Sequence, residues 1–309
     1  MNRREFTKNM GVVMTALNLP ILKTTVSAKP FVRLGAPLLE RFDGPDEWIA
    51  LLKKDRYRAA YCPLKTDAPA DQIKAYQTAA KRADIVIAEV GAWSNPISPD
   101  ADMARTAIKK CIDSLALSEA IGANCCVNIS GSKNPAQWAG PHKDNFSTAT
   151  FDQIVEVTRR IIDEVKPTQT YFALELMPWS YPDSPDSYLR LIKAIDRKRF
   201  AVHLDPMNII DSPRSFFSNS ALIKECFAKL GSYIRSCHGK DIILKEDVYT
   251  PQLVECRPGL GQLDYTMFLT ELSKLKNIPL MLEHLSTMEA YQQAATYIRS
   301  VGDKVGIDV

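Results

Sequence analysis

Four side chains able to ligate a metal end four apolar runs in the second half of the chain. They are Glu175 in Phe172-Ala173-Leu174-Glu175, Asp205 in Val202-His203-Leu204-Asp205, His238 in Ser236-Cys237-His238 and Glu283 in Met281-Leu282-Glu283. A charge within an apolar strand is costly to bury alone, so four such groups converging on one rim require a shared cation or mutual pairing. One imidazole and three carboxylates suit one divalent ion, Mn²⁺, Mg²⁺, Co²⁺ or Zn²⁺, with positions left open for substrate oxygens. A metal that chelates a carbonyl oxygen and a neighbouring hydroxyl acidifies the carbon-bound hydrogen and stabilises the enediolate formed when it leaves. One carboxylate removes the proton and another group returns it. Epimerisation, isomerisation, dehydration and β-elimination share that first step, so these residues support proton abstraction better than any particular product.

Such convergence needs a scaffold that brings consecutive strand ends together. The sequence offers β-rich apolar runs at Phe31–Gly35, Arg58–Cys62, Ile85–Gly91, Cys125–Ser130, Tyr171–Met177, Ala201–Asp205, Ile234–Lys240 and Pro279–His284. Segments of helical periodicity follow them at Pro45–Lys54, Ala70–Arg82, Ala101–Ile121, Phe151–Val165, Pro185–Ile195, Ser220–Leu230, Asp264–Leu275 and Thr287–Val301. Regular strand and helix alternation predicts a single α/β domain, a (β/α)₈ TIM barrel over residues 29–309. A doubly wound open sheet is the competing fold, but Ala36-Pro37-Leu38-Leu39 after the first strand lacks its Gly-rich fingerprint. Ser98-Pro99-Asp100 and Ser184-Pro185 supply helix starts, and Lys166-Pro167 supplies a stop. The long connections Gly131–Thr150 and Asp241–Asp264 both follow strands, on the face where a barrel builds its site. Strand alternation turns His203 the same way as Asp205, and Lys240 the same way as His238.

With these segments in place, the mature chain resembles the xylose isomerase-like barrel superfamily of sugar isomerases, epimerases and related enzymes. The resemblance rests on Leu174-Glu175, His203-Leu204-Asp205, His238-Gly239-Lys240-Asp241, the run Pro258 to Tyr265, and Glu283-His284. It implies that Glu175, Asp205, His238 and Glu283 ligate the metal, and that Glu175 and Glu283 double as the acid/base pair. Ketose 3-epimerases of this superfamily carry a His three positions after the strand-six aspartate and a Glu six after the strand-five glutamate. Here Asn208 and Tyr181 stand there, which argues against a free-ketohexose epimerase; Asn208 is kept among the substrate-facing candidates. The endonuclease IV branch uses a histidine-rich three-metal cluster, whereas this chain has four histidines in all.

Further candidates each carry two readings. Glu89 is a second acid/base or the partner of Lys240 in an ion pair. His142, in the long loop after the fourth strand, touches substrate or is merely solvated. His203 orients a ligand more readily than it serves as one. Trp93, Trp138 and Trp179 follow strands and either stack on sugar faces or pack in the core. Arg257 holds an anionic or hydroxylated substrate or forms a surface salt bridge. The glycines of Pro258–Gln262 read as turn residues, with Asp264 as the following N-cap, so an unphosphorylated sugar or glycoside is expected.

Composition narrows the partners. The 309 residues are 46% hydrophobic and 24% charged, which excludes a disordered chain, and the formal net charge is +3. Met1 to Ala28 holds Arg3, Arg4, Lys8 and Lys23 against Glu5, so the remainder is formally neutral and nothing asks for a nucleic-acid partner. That opening segment runs basic, apolar, then Val26-Ser27-Ala28, the order of an export signal peptide; Arg3-Arg4 with Phe6 and Lys8 resembles a twin-arginine signal. A periplasmic protein without stable membrane insertion is expected, because Asn18, Pro20 and Lys23 interrupt the apolar stretch. The seven cysteines are scattered and show no disulfide or zinc spacing. A homo-oligomer is compatible with these features. The leading function is a metal-dependent sugar isomerase or epimerase. A lyase or hydratase acting on 3-keto-glycosides or other oxidised sugars is the alternative, and a non-catalytic sugar-binding barrel the third.

Overall fold

The computed structural model describes residues 29–309; the export-signal reading of Met1–Ala28 lies outside the described residues. Eight parallel strands close into a barrel. In chain order these are β1 (Arg33–Gly35), β2 (Ala59–Tyr61), β3 (Val86–Gly91), β4 (Cys125–Asn128), β5 (Phe172–Glu175), β6 (Phe200–Leu204), β7 (Ile234–Gly239) and, after a hairpin of β8 (Asp241–Leu244) and β9 (Leu253–Cys256), β10 (Pro279–Leu282). Closure comes from β1 pairing with β10 through Arg33 with Pro279, Leu34 with Leu280 and Gly35 with Met281. Gly35 lets β1 fit between its two neighbours, since a Cβ there would lie 2.5 Å from the Ala59 carbonyl oxygen on β2 and 2.7 Å from the Met281 side chain on β10. The expected (β/α)₈ barrel is therefore the fold observed.

Helices cover the outside: α1 (Pro45–Lys54), α2 (Ala70–Ala83), α3 (Ala101–Ile121), α4 (Thr148–Val165), α5 (Pro185–Ile195), α6 (Pro213–Phe217), α7 (Asn219–Leu230), α8 (Tyr265–Leu272) and α9 (Met288–Val305). Local chemistry sets their ends. Asp100 accepts the N–H groups of Asp102 and Met103, and Ser184 forms a reciprocal capping box with Ser187. Lys166 adopts φ 54° and stops α4 directly before Pro167. The main core lies between strands and helices, while smaller clusters, Cys125 with Ala173 and Ala201 and Ala59 with Ala88 and Met281, occupy the opposite strand face inside the barrel. Cys125 and Cys126 thus fall on opposite faces, as strand alternation requires, and all seven cysteines are free. Small interior side chains leave volume above them for a polar layer.

Two departures from expectation bear on the site. Asp205 and Glu283 lie one residue beyond their strands; at Asp205, Oδ1 accepts the N–H of Met207 at 3.0 Å and so turns the chain out of the ladder. The connection Asp241–Asp264 contains the antiparallel β8–β9 hairpin, whose alternating Leu253-Val254-Glu255-Cys256 pattern is too short to announce itself. No helix among the described residues is long and apolar enough to cross a membrane.

Candidate metal centre

The lower layer of the site hangs from Glu89 on β3, which is fully enclosed. Its Oε2 accepts from Ser236 Oγ at 2.8 Å and lies 2.9 Å from His203 Nε2; its Oε1 lies 3.2 Å from His238 Nε2. Burial pushes a carboxyl up, but the adjoining His203 and His238 outweigh it and hold Glu89 well below the ordinary carboxylate range. An ionised carboxylate only accepts, so both imidazoles must present Nε2–H to it. That assignment leaves Nδ1 of His238 aimed upward, 2.9 Å from Glu175 Oε1 and 2.9 Å from Glu283 Oε1. A lone pair facing two carboxylate oxygens is repulsive unless a cation intervenes. In its absence the imidazole holds a proton: burial opposes the charge, yet Glu283 and the other anionic neighbours keep the His238 pKa well above its usual value.

The upper layer is short of positive charge. Lys240 Nζ lies 2.9 Å from Asp205 Oδ2 and 2.7 Å from Glu283 Oε1, and donates to Asn208 Oδ1 at 3.3 Å. Both carboxylate contacts are out of line for a hydrogen bond, so Asp205 Oδ2 and Glu283 Oε1 are buried acceptors with no directed donor. Burial, with Glu175 and Glu283 nearby, pushes the Asp205 carboxyl up to about 6 despite Lys240. One ligand atom from each of Glu175, Asp205, His238 and Glu283 falls within 4.8 Å of the others. With His238 neutral, as a ligand must be, three carboxylates against one ammonium leave two negative charges, which a divalent ion would cancel in place of the imidazole proton. The donor set, the orphaned oxygens and the upward Nδ1 all fit such an ion.

Above this cluster opens a cavity of about 600 Å³. Glu175, Asn208, Lys240 and Glu283 form its polar floor, with Glu255 and His284 to one side, and Trp93, Trp138 and Trp179 contribute to its walls. Asn208 is fixed by donating to the Leu176 carbonyl at 3.0 Å and to Glu175 Oε1 at 3.3 Å. Trp93 and Tyr61 flank His238, with ring centroids 6.2 and 6.5 Å away.

Not every sequence candidate reaches the cavity. The Glu89–Lys240 ion pair does not form, because two imidazoles and Ser236 already surround Glu89 in the lower layer. His142 does not line the cavity; its Nδ1 caps a 3₁₀ turn by accepting the Asp144 N–H at 3.2 Å. Arg257 also stays outside and donates to the neighbouring Pro258 carbonyl. The three tryptophans wall the cavity instead of packing in the core. Around Pro258–Gln262 the backbone does form an anion cradle, but Asp241 fills it from within by accepting from Gly259, Gly261 and Leu263 at 2.8 to 3.1 Å. Asp264 caps α8 by accepting the Met267 N–H. Sequence reasoning missed Glu255, which lies 3.0 Å from His284 Nδ1 and 3.9 Å from Lys240 Nζ. Its only signal was its place in a long loop after a strand.

Comparisons with known proteins agree with this architecture. A solved probable 3-DHS dehydratase from Bacillus anthracis superposes with a TM-score of 0.64 at 16% identity, covering 88% of this chain and 98% of that one. A xylose isomerase-like TIM barrel protein from Mycobacterium smegmatis in complex with magnesium gives 0.62 at 15% identity, over 87% and 96% of the two chains. A 3-keto-D-glucoside 4-epimerase from E. coli gives 0.61 at 12% identity, over 87% and 99%. No curated protein sequence matches. At such identities the solved structures establish the fold alone, but the sequence model of the xylose isomerase-like TIM barrel matches residues 36–301. The chain belongs to the xylose isomerase-like TIM barrel family.

Proposed function

We propose that the chain is a divalent-metal-dependent sugar isomerase or epimerase that removes a proton beside a carbonyl and returns it through an enediolate. The observation that carries this reading is the pair Glu175 and Glu283, each 2.9 Å from the one upward nitrogen of His238 and both open to the cavity. The metal would be held by Glu175, Asp205, His238 and Glu283, and when bound it supplies Lewis-acid polarisation of a substrate carbonyl. The rest of the work falls to the protein. Glu175 and Glu283 approach from β5 and β10, which β6 and β7 separate in the barrel, so one carboxylate can take the proton while the other serves the opposite side of the substrate. Both carboxyls are held below their usual range against burial, chiefly by His238 and then by Lys240, so either can act as the base; the proton goes back from the carboxyl that took it, or from the other after that one has taken a proton from solvent. The Lys240 ammonium faces the charge that develops on the substrate oxygens, and Asn208 fixes both that ammonium and Glu175.

A lyase or hydratase acting on a 3-keto-glycoside shares these steps up to departure of the aglycone, and the tryptophan wall favours it as a second reading. A related dehydratase fold and a related keto-glucoside epimerase fold support both versions of the chemistry. Export through Met1–Ala28, which we retain as a proposal, would place the enzyme among extracytoplasmic glycosides.

The test is NMR of Mn²⁺- or Mg²⁺-loaded protein in D₂O with keto-sugars and 3-keto-glycosides, following C–H to C–D exchange. Exchange that disappears on chelation is expected, and aglycone release would select the lyase. A folded, metal-loaded protein that exchanges nothing across the panel would turn the assignment to a sugar-binding barrel.

A further inference from the structure

The cavity above the metal centre is two-tiered, and the tiers differ in chemistry. At the floor, Glu175, Asn208, Lys240 and Glu283 offer charges and hydrogen bonds to a compact polyhydroxylated group. On one side of the mouth the lining becomes Trp138, Ala139, Met177, Pro178 and Trp179, with no charged or amide side chain among them, while Glu255 and His284 line the other side. Trp138 and Trp179 remain 45% and 47% exposed although they border an enclosed polar site. About 600 Å³ falls in the range that holds a drug-sized ligand, larger than one pyranose ring.

The upper tier is also held in place. Trp138 and Trp179 come from different loops, after β4 and β5, and Asn145 joins them. Its fully buried amide donates to the Gly140 carbonyl at 3.2 Å and to the Trp179 carbonyl at 2.7 Å, while its Oδ1 accepts the Lys133 N–H at 2.8 Å. Ser132 adds a hydrogen bond from Oγ to the Gly140 carbonyl at 2.6 Å. These buried hydrogen bonds reach the main chain at Trp179 and at Gly140, two residues past Trp138, so they order the two loops that carry the indoles and lower the cost of arranging them around a ligand.

We propose that Trp138 and Trp179 form an outer subsite for an aromatic aglycone, so that the substrate class is an aryl glycoside with its sugar ring on the polar floor. A second sugar laid against the tryptophan side would turn hydroxyls toward side chains that cannot answer them, leaving only Glu255 and His284 across the cavity, whereas a flat aryl group matches that apolar side. Asn145 is a positioning residue for this subsite. The inference rests on the proposed sugar chemistry for the identity of the floor group, but its test does not depend on turnover.

Binding of phenyl β-D-glucopyranoside, methyl β-D-glucopyranoside and cellobiose to the Mg²⁺-loaded protein is measured by calorimetry and indole fluorescence. Neither unoxidised glucoside offers the keto group, so binding is read without reaction. The phenyl compound is expected to bind about tenfold tighter than the methyl compound, the scale of an aromatic contact. Trp138→Ala and Trp179→Ala should each reduce that preference, and the double variant should abolish it while leaving affinity for the methyl glucoside unchanged. Asn145→Ala should weaken phenyl binding alone; should that variant misfold, the tryptophan variants still decide. Equal phenyl and methyl affinities in the parent protein, or a preference that survives the double variant, overturns the subsite. Cellobiose binding as tightly as the phenyl compound overturns the aryl assignment. Failure of deuterium exchange with all keto-sugars would instead strike the proton-abstraction reading and leave these affinities untouched.

Discussion

The two ends of the barrel treat buried charge in opposite ways. At the N-terminal end Arg33, 6% exposed, has matched partners: it donates to the Asp84 carbonyl at 2.7 Å, Asp84 Oδ1 at 2.8 Å and Asn277 Oδ1 at 3.3 Å. Glu119 there accepts the N–H groups of Thr168, Gln169 and Thr170 at 2.9 to 3.0 Å and so fixes the entry to β5. At the C-terminal end carboxylates outnumber cations, and His203 Nδ1, Asp205 Oδ2 and Glu283 Oε1 are buried without hydrogen-bond partners; among the described residues only Tyr57 OH, near the other end, shares that condition. A fold stabilised for its own sake would not leave such groups unmatched. Polar satisfaction thus separates the end that holds the barrel together from the end built to receive something.

The contrast can be broken by substitution at either end. The largest effect is expected at the top: Glu175→Gln or Glu283→Gln, at saturating metal, should lower turnover by roughly 10²- to 10⁴-fold, with a melting temperature close to that of the parent. Full activity in both would remove the acid/base assignment. Glu89→Gln tests the layer beneath. Loss of the acceptor that orients His238 should weaken metal affinity about 10- to 100-fold, read by calorimetry, and unchanged affinity would reduce Glu89 to packing.

Substitutions at the lower end should move stability and not chemistry. Arg33→Ala should cost about 1–3 kcal/mol in denaturant unfolding, because it removes an enclosed guanidinium together with its packing and its hydrogen bonds to Asp84 and Asn277; deuterium exchange per folded molecule should be unchanged. The smallest effect belongs to Glu119→Gln, about 1 kcal/mol near neutral pH, since Glu119 is partly solvated. Burial raises the Glu119 carboxyl, but hydrogen bonds from Thr168, Thr170 and Gln169 outweigh it and hold the pKa at about 2, below the unfolded value of 4.5. Its contribution is therefore complete above about pH 4.5 and lost as pH falls toward 2, and acid unfolding of the variant should be less steep across that window. An activity loss at either lower position would blur the division between the ends.

Much of the top was legible in the sequence because strand periodicity is strict. Alternation places His203 with Asp205 and Lys240 with His238, and the structure turns all four inward, His203 onto Glu89 in the lower layer and Asp205 with Lys240 in the upper one, His238 joining the two. The partner of Glu89 was not legible, since Ser236 and His238 are 147 and 149 residues away and only barrel closure brings them near. Loop residues were the least readable. His142 and Trp138 share one long segment, yet Trp138 lines the cavity and His142 caps a turn, a choice made by the tertiary hydrogen bonds of Asn145. Likewise Asp241 looked like part of a strand-end motif, and its function as the internal anion of the Gly259–Gly261 cradle depends on a chain reversal through the β8–β9 hairpin.

We propose that the unmatched groups at the top form a metal centre. Its most direct test is calorimetric titration of chelator-stripped protein with Mn²⁺, alongside Asp205→Asn and His238→Ala variants checked for folding by circular dichroism. One ion per chain, bound by the parent and lost in both folded variants, is the predicted result. No binding to the parent, or binding that both variants retain, would contradict the account.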